Sequence, residues 1–588
     1  MTVPITYIKK NILNIFTLFL SVFIFHVIFI FQGLDVTDMG YHLTNQILSL
    51  DPVNNLNSIM PLWYLTDLIG GIWLSLAGGP NLLWAKIGGV FLTCLNAIII
   101  YSILSRYFNR QRVFFVVLIS TITTTIFVSD YIHYFTLPAL FLNIAVWIFD
   151  KAMNAQVGTK KFFLLTFLTG FWLVPIILSR FTLILILFIP LLVVLYSIYK
   201  DKNIKRSGPY LLPLSLGFIC SAFLFCVIYW YIGILDVYTS YVIAMFSGTE
   251  HDSMARSHGF TTLLMYYLTD YAQEFYRMVF IFIVLFCFGF IQKKLDMKSG
   301  YFSVVSFAFL ALTLMLFLYA NISPIDILYY IYFLISLTFL LSILCFLFNR
   351  HINEKIAMLL FLGIAIMIIV PVGSNIGIIK SIYGMWLILP LSLLCVYDLK
   401  AHDITDSKKK LGISTAFSTV GPVLIVLLLL SSFFHIAYVY RDDNRFSLTA
   451  QFHDPSLGLI FSTPDRVNMT DELIYQVKKY SDKGDRVVFV NNIPLCYYLT
   501  ETKPVYGETW PYDPIKYQET IEKDNLHPKL FIFTKMSTDN NHAAWPSNKS
   551  TISNTTSLNH LINRYEQMNY TLLWENNGFA IYGQKNNT

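Results

Sequence analysis

The sequence predicts a multi-pass α-helical membrane protein that carries a soluble α/β region at its C-terminal end. Three observations predict it. Of 588 residues, 56% are hydrophobic and only 13% charged, against about a quarter charged in ordinary soluble chains. Apolar runs of about 20 residues, the length that crosses roughly 30 Å of hydrocarbon, recur along the first 440 positions. The composition then changes: residues 441–588 hold 15 basic and 17 acidic side chains and alternate short apolar runs with polar turns. A transmembrane part, 1–440, and a soluble part, 441–588, are therefore expected.

The length criterion gives about thirteen spans, near 11–32, 81–104, 113–129, 135–150, 162–178, 181–198, 208–232, 276–291, 301–320, 325–348, 356–371, 380–397 and 417–439. The first has no small-residue cleavage site behind it and reads as a retained signal anchor. The segment LWYLTDLIGGIWLSLAGG (62–79) is apolar but short, with Asp67 inside it and Pro80 after it. An interfacial or re-entrant helix is expected there.

Lys and Arg accumulate in cytoplasmic loops, so their placement sets orientation. Alternate loops, from Lys9/Lys10 through SRYFNRQR (105–112) to DLKAHDITDSKKK (398–410), hold 21 of the 41 basic residues. The intervening loops hold five. This alternation places the N-terminus in the cytoplasm and the C-terminal region on the opposite face of the cytoplasmic membrane. The net charge of +6 arises in those loops and gives no sign of a nucleic-acid partner. Six of the seven cysteines lie in expected spans and only Cys496 in the soluble part, which excludes a disulfide scaffold or a cysteine metal site.

In the soluble part, DELIYQVKKYSDKGDR has helical periodicity ending at a glycine. RVVFVNN (486–492) and LFIFTK (530–535) read as strands, LINRYEQMN (561–569) as a helix, and YTLLWENNGFAIYG as a hairpin turning at Asn577-Gly578. MSTDNNHAAWPSNKSTISNTTSLN is expected to be loop. Neither a phosphate-cradling glycine loop nor a nucleophile motif stands out in this part, which reads as a cap or recognition unit.

Chemistry-bearing residues gather where spans end. GLDVTDMGYHLTNQ (33–46) leaves the first span with Asp35, Asp38, Tyr41 and His42. If the stretch is helical from Leu34 onward, Asp35, Asp38 and His42 share a face. Polar residues also simply cap the exit of a span. The second outward loop, SDYIHYFTLP (129–138), adds Asp130 and His133, and the two loops together would form an acidic pocket. Such a pocket suits a general base acting on a hydroxyl, or a divalent cation held by oxygens. Arg180, in LSRFT, and Lys380, in VGSNIGIIKSIYGMW (372–386), place cations at the rim, where an unpaired charge is costly unless used. Phosphate contact and snorkelling are both open for them. For Lys86, snorkelling to lipid head groups is expected.

The acidic first loop, PLWYLTDLIGGIWLSLAGGPNLLWAKIGG, the acid of the second loop and the soluble C-terminal part together resemble the GT-C superfamily of membrane glycosyltransferases. This superfamily includes protein O-mannosyltransferases and lipid A aminoarabinose transferases. The resemblance covers most of the membrane part by layout, while its sharp motif is the acidic loop alone. It implies a GT-C-like fold and transfer of a sugar from a polyprenyl-phosphate carrier to an acceptor hydroxyl on the non-cytoplasmic face. By the same resemblance Asp38, in TDMGYHL, falls where the family has its catalytic carboxylate. Asp130 falls where many members carry a second acid, and Arg180 and Lys380 fall near regions that contact the carrier phosphate. Many members have Asp-Glu where this chain has Asp38-Met39, so Asp35 supplies the second charge or one acid suffices.

The expectation is an inverting hexosyl or pentosyl transferase, with Asp38 as base and Asp35 or Asp130 positioning substrate. Tyr41, His42, His133, Asn375, Arg180 and Lys380 would line the site, and SGTEHDSMARSHGF (247–260) would cover it. A divalent cation, Mg or Mn, on Asp38 and Asp130 is the one cofactor this set would take. The partners would be membrane lipids, a polyprenyl-phosphate-linked sugar and a glycan, lipid or protein acceptor. An O-antigen polymerase or ligase is the nearest alternative, and a flippase or transporter of polyprenyl-linked lipids is the alternative of another class.

Overall fold

The computed structural model describes residues 5–55, 59–125, 131–188, 190–191, 208–247, 260–294, 327–348, 352–372, 377–403, 436, 439, 441–490, 493–505, 509, 523, 527–534 and 562–584. The first apolar run forms α1 (Ile5–Ile30). Two shorter helices follow, α2 (Asp38–Leu48) and α3 (Tyr64–Ser75). Then come α4 (Leu82–Leu104), α5 (Arg110–Thr125), α6 (Thr136–Met153), α7 (Lys160–Ser179), α8 (Gly208–Ile232), α9 (Leu235–Ser247) and α10 (Phe260–Lys294). The helical part closes with α11 (Ile327–Phe348), α12 (Glu354–Val372) and α13 (Ile382–Asp403).

Among the described residues, seven helical segments are long and apolar enough to cross a membrane, and the protein is an integral membrane protein. The apolar side chains face two ways. From Gly377 to Val396 every residue is buried, packed by α11, α12 and α5. By contrast, α1 and α8 turn Ile12, Phe16, Ile28, Phe223 and Trp230 outward. Those side chains meet lipid at little cost, because hydrocarbon is as apolar as they are. Within the bundle α1 lies on α4, α6 lies between α4 and α7, and α7 lies on α8.

The span pattern differs from expectation in several places. The apolar run near 276–291 is the second half of α10, a helix of 35 residues. Its first half, and α9 before it, occupy much of what reads in sequence as the long loop 233–275. Polar Thr269, Asp270, Gln273 and Glu274 lower the mean hydropathy there without breaking the helix. The run near 181–198 opens as a 3-10 helix, Phe181–Leu187. The expected span 301–320, and all of 417–439 except Ile436 and Val439, lie outside the described residues. Helix α3 has 12 residues, about 18 Å of rise, too short to cross.

The C-terminal region forms a two-stranded ribbon, β1 (Ala450–Gln451) with β2 (Phe461–Ser462), and helix α14 (Pro464–Tyr480). A five-stranded sheet follows from β3 (Arg486–Val490), β4 (Lys503–Pro504), β5 (Leu530–Thr534), β6 (Tyr570–Glu575) and β7 (Phe579–Gln584). Its order is β4-β3-β5-β7-β6, with β3 parallel to β4 and β5, and β7 antiparallel to β5 and β6. The expected hairpin is present: Asn576 Oδ1 accepts from the amides of Gly578 and Phe579, both at 2.9 Å, and so turns β6 into β7. Residues 562–567 are helical, and the whole polar stretch 536–559 expected to be loop lies outside the described residues.

The two parts share one core. Leu34, Val36, Met39 and Leu43 from the exit of α1 pack with Leu457, Val467, Leu473 and Phe489 of the C-terminal region. Helix α15 (Leu495–Thr500) lies on α2 so closely that a Cβ at Gly40 would meet the Leu495 nitrogen at 2.2 Å. Two hydrogen bonds fix the pair, from the Leu495 amide to the Val36 carbonyl (3.1 Å) and from the Thr44 hydroxyl to the Pro494 carbonyl (2.9 Å). Lys86 does not snorkel. Its buried ammonium donates to the carbonyls of Ile30 (3.0 Å), Gln32 (3.2 Å) and Gly33 (2.8 Å), where α1 ends and leaves carbonyls unpaired.

Asp442 is the strongest single tie. It is buried, accepts from the Leu34 amide (2.8 Å) and the Ser462 hydroxyl (2.9 Å), and pairs with buried Arg466. Asp442→Ala would leave Arg466 buried without its anion and is expected to cost about 3–5 kcal/mol. The readout is the unfolding midpoint in detergent micelles, where a wild-type midpoint would remove this ion pair from the junction.

Candidate active site

Asp35, Asp38 and His42 do not share one helical face, because α2 begins at Asp38. Asp35 stands before the helix and turns inward. Its carboxylate accepts from the Thr37 amide (2.9 Å), the Thr37 hydroxyl (2.7 Å) and the Met39 amide (3.0 Å). These are donors that a helix start leaves unpaired, so Asp35 does the work of a capping residue. Asp38, at the first helical position, keeps a side chain 31% exposed. Its Oδ1 lies 3.2 Å from Nη1 of Arg441, which also stands 4.0 Å from Asp35.

One turn along α2, His42 is buried and faces Asp67 of α3, with Nδ1 3.8 Å from Oδ1. Neither His42 Nδ1 nor either Asp67 oxygen completes a hydrogen bond among the described residues. Burial holds the Asp67 carboxyl well above the usual carboxylate range; the Trp63 indole reaches toward it and pulls the other way. Burial, and then the charges on His133 and Arg180, hold the His42 imidazole well below its usual range. The pair is therefore most stable as a neutral carboxyl opposite a neutral imidazole. Tyr41, Trp63, Tyr131 and Tyr134 surround His42, the nearest ring being Tyr134 at 4.5 Å between centroids.

His133 serves the turn that starts α6. Its Nδ1 accepts the Phe135 amide at 2.8 Å, which places its own proton on Nε2. Burial, and then the charge of Arg180, push its pKa down to about 3.

Tyr134 and Phe135 form the floor on which two cations converge. The Arg180 guanidinium lies 3.8 Å from the Tyr134 centroid and 4.9 Å from that of Phe135, and the Lys380 ammonium lies 5.6 and 5.1 Å from the same rings. Arg180 is the residue that ends α7 in extended conformation, and its Nε donates to Thr182 at 3.1 Å. Lys380, in the 3-10 helix Gly377–Ser381, is fully buried. Lys380 Nζ and Arg180 Nη1 have no hydrogen-bond partner among the described residues. The Tyr134 phenol links these cations to α2. Burial raises its pKa, Arg180 lowers it, Asp38 raises it and Arg441 lowers it.

The structure thus brings Asp38, Tyr41, His42, His133, Arg180 and Lys380 around Tyr134, while Asp35 is committed to the backbone. Asp130, Asn375 and residues 248–259 of the expected cover lie outside the described residues. No group of three or more His, Cys, Asp or Glu side chains converges among the described residues, and Asp130, one of the two expected cation ligands, lies outside them. Asp67, Trp63, Tyr134, Tyr383 and Arg441 are site-forming residues that sequence reasoning passed over. Asp67 carried a signal, a carboxylate inside an apolar helix. Tyr383, whose hydroxyl donates to the Tyr134 carbonyl, carried none.

The two histidines and Asp67 should load pH in opposite senses. An unfolded histidine titrates near 6.5, while His133 folded titrates at about 3. Stability from this group is complete above about 6.5 and is lost as pH falls, at about 1.4 kcal/mol per unit. His133→Asn, which keeps the acceptor for Phe135, should flatten that acid-side loss. Asp67 is raised, so its contribution weakens as pH rises above 3.8. Asp67→Asn should therefore be more stable than wild type at pH 7 and lose the advantage near pH 4. Unfolding midpoints across pH check both, and parallel curves for variants and wild type would refute them.

No protein-family model and no curated protein matches the chain. Solved structures do match. The Archaeoglobus fulgidus oligosaccharyltransferase, in complex with Zn and sulfate, superposes with a TM-score of 0.50 and 13% identity, over 89% of this chain and 68% of that one. ArnT from Cupriavidus metallidurans in the apo state superposes with a TM-score of 0.44 and 9% identity, over 98% of each chain. What the chain shares with the archaeal oligosaccharyltransferase is its fold.

Proposed function

We propose that the protein transfers a sugar from a polyprenyl-phosphate carrier to an acceptor hydroxyl, with Asp38 as general base. The observation that carries this reading is the pair of buried cations, Lys380 and Arg180, whose Nζ and Nη1 have no hydrogen-bond partner among the described residues. A buried ammonium without an anion costs several kcal/mol, so a site that retains one is suited to an anion brought by substrate. A lipid phosphate supplies that anion and brings it to the membrane rim. The fold shared with an oligosaccharyltransferase supports the class of reaction.

The chemistry follows from the placement. The acceptor oxygen attacks the anomeric carbon, its proton passes to Asp38, and the bond from that carbon to the phosphate oxygen breaks. The departing phosphate gathers negative charge, which Arg180 and Lys380 offset. In the proposed pose the base and the leaving group stand on opposite sides of the sugar. That arrangement inverts the anomeric centre.

The test is loss of labelled donor in liposomes supplied with a panel of polyprenyl-phosphate sugars. Asp38→Asn should lower turnover by roughly 100-fold or more while donor still binds. Turnover equal to wild type would remove Asp38 as base. Lys380→Met should raise the unfolding midpoint, since it removes a buried charge, and weaken donor binding by about tenfold or more. A variant that loses stability and keeps its affinity would show that Lys380 is structural.

A further inference from the structure

Arg441 belongs to the turn where the C-terminal region begins, and its backbone is strained. Its φ is +56°, the left-handed region that a side chain other than glycine seldom adopts. The turn around it is tightly held: the Asp442 amide donates to the Val439 carbonyl and the Val439 amide to the Asp443 carbonyl, both at 3.1 Å. Asp442 is anchored to Leu34, Ser462 and Arg466, and Val439 seats against Gly33, where a Cβ would meet its Cγ1 at 2.1 Å. Gly33 itself has a φ of +89°. Strain at Arg441 is thus imposed from both sides, and its effect is to aim the guanidinium at Asp38 (3.2 Å) and Asp35 (4.0 Å).

We infer that Arg441 is a positioning residue, through which the seated C-terminal region holds Asp38 in the orientation and charge state that transfer requires. This inference rests on the reading of Asp38 as base. Asp35 cannot move, since three hydrogen bonds fix its carboxylate. A second carboxylate three residues on would be repelled by it, and Asp38, its side chain 31% exposed, has the Arg441 guanidinium 3.2 Å from its Oδ1. A guanidinium between the two removes the repulsion. It engages Oδ1 of Asp38. The base is therefore competent only when Val439 and Asp442 are docked on Gly33 and Leu34.

Arg441→Gly separates charge from backbone, because glycine adopts the left-handed conformation without strain. The expected result is an unchanged or higher unfolding midpoint, donor KM within about twofold of wild type, and kcat lower by about tenfold or more. Arg441→Lys should restore most of kcat, although it keeps the strain. Wild-type kcat in Arg441→Gly would overturn the inference, and so would a midpoint that falls in step with kcat in both variants. Asp38→Asn, assayed alongside, keeps the two proposals apart. If Asp38→Asn is inactive and Arg441→Gly is not, only the role of Arg441 fails; if Asp38→Asn is active, the base assignment fails first.

Discussion

The exit of the first helix is fixed against the start of the C-terminal region, and the geometry of the site depends on that contact. Lys86 closes the end of α1 with three hydrogen bonds, Gly33 admits Val439, the Leu34 amide is taken by Asp442, and Asp35 caps what becomes α2. Each step sets the next. A helix of 11 residues would be marginal in isolation, so α2 holds its place only because α3 and α15 grip it from two sides. The side chains on it inherit that rigidity, which is what a base must have to meet an acceptor at hydrogen-bond distance.

The charges around Tyr134 have been divided by environment. Where a buried carboxyl and a buried imidazole face each other, as with Asp67 and His42, both tend to neutrality. Where a cation lies over an aromatic face, as with Arg180 on Tyr134, the ring stabilises charge without supplying a counter-ion. Lys380 has the same rings at longer range and no hydrogen-bond partner among the described residues. The site thus stores positive charge near the rings, a cost in stability that an anionic ligand would cancel. Binding and folding draw on the same interaction there, so anion affinity and empty-state stability should trade against each other.

Much of this was legible in the sequence, and the reasons for the remainder are physical. Periodicity and length revealed α1, α4, α6, α7 and the strands β3, β5, β6 and β7, because each buries one face or spans lipid and so must be patterned. The first half of α10 was not legible as a helix continuous with a span, since its polar residues match a loop composition. Among the candidate site residues, Asp38, His42, Arg180 and Lys380 drew attention because ionisable groups at span ends are rare. Asp35 falls before α2 rather than on its face, because spacing cannot tell a helix's first turn from the residues that cap it. Arg441 was out of reach: its partners lie some 400 positions away in sequence, and nothing in RDDNRF marks the first arginine as different from the second.

The surroundings of the site bear on how two unlike substrates could meet there. Toward α15 the walls belong to the C-terminal region, with polar Thr44, Asn45 and Thr509 near the contact. On another side the short 3-10 helix Pro61–Trp63 packs against α9, whose Ile243 is 65% exposed, and α8 beyond it exposes Phe223 and Trp230. Such a surface is stable only against lipid. Under the proposed function, a polyprenyl tail would lie along α8 and α9 while its phosphate turned inward past Trp63 to Arg180 and Lys380. A polar acceptor would enter from the side of α15 and reach Asp38, which Arg441 already faces. The same short helix α2 would then stand between the two approaches, with the base at its start and His42 one turn inside. The donor's solubility demands the first approach and the acceptor's the second, and a site at the membrane rim is the one place where both exist.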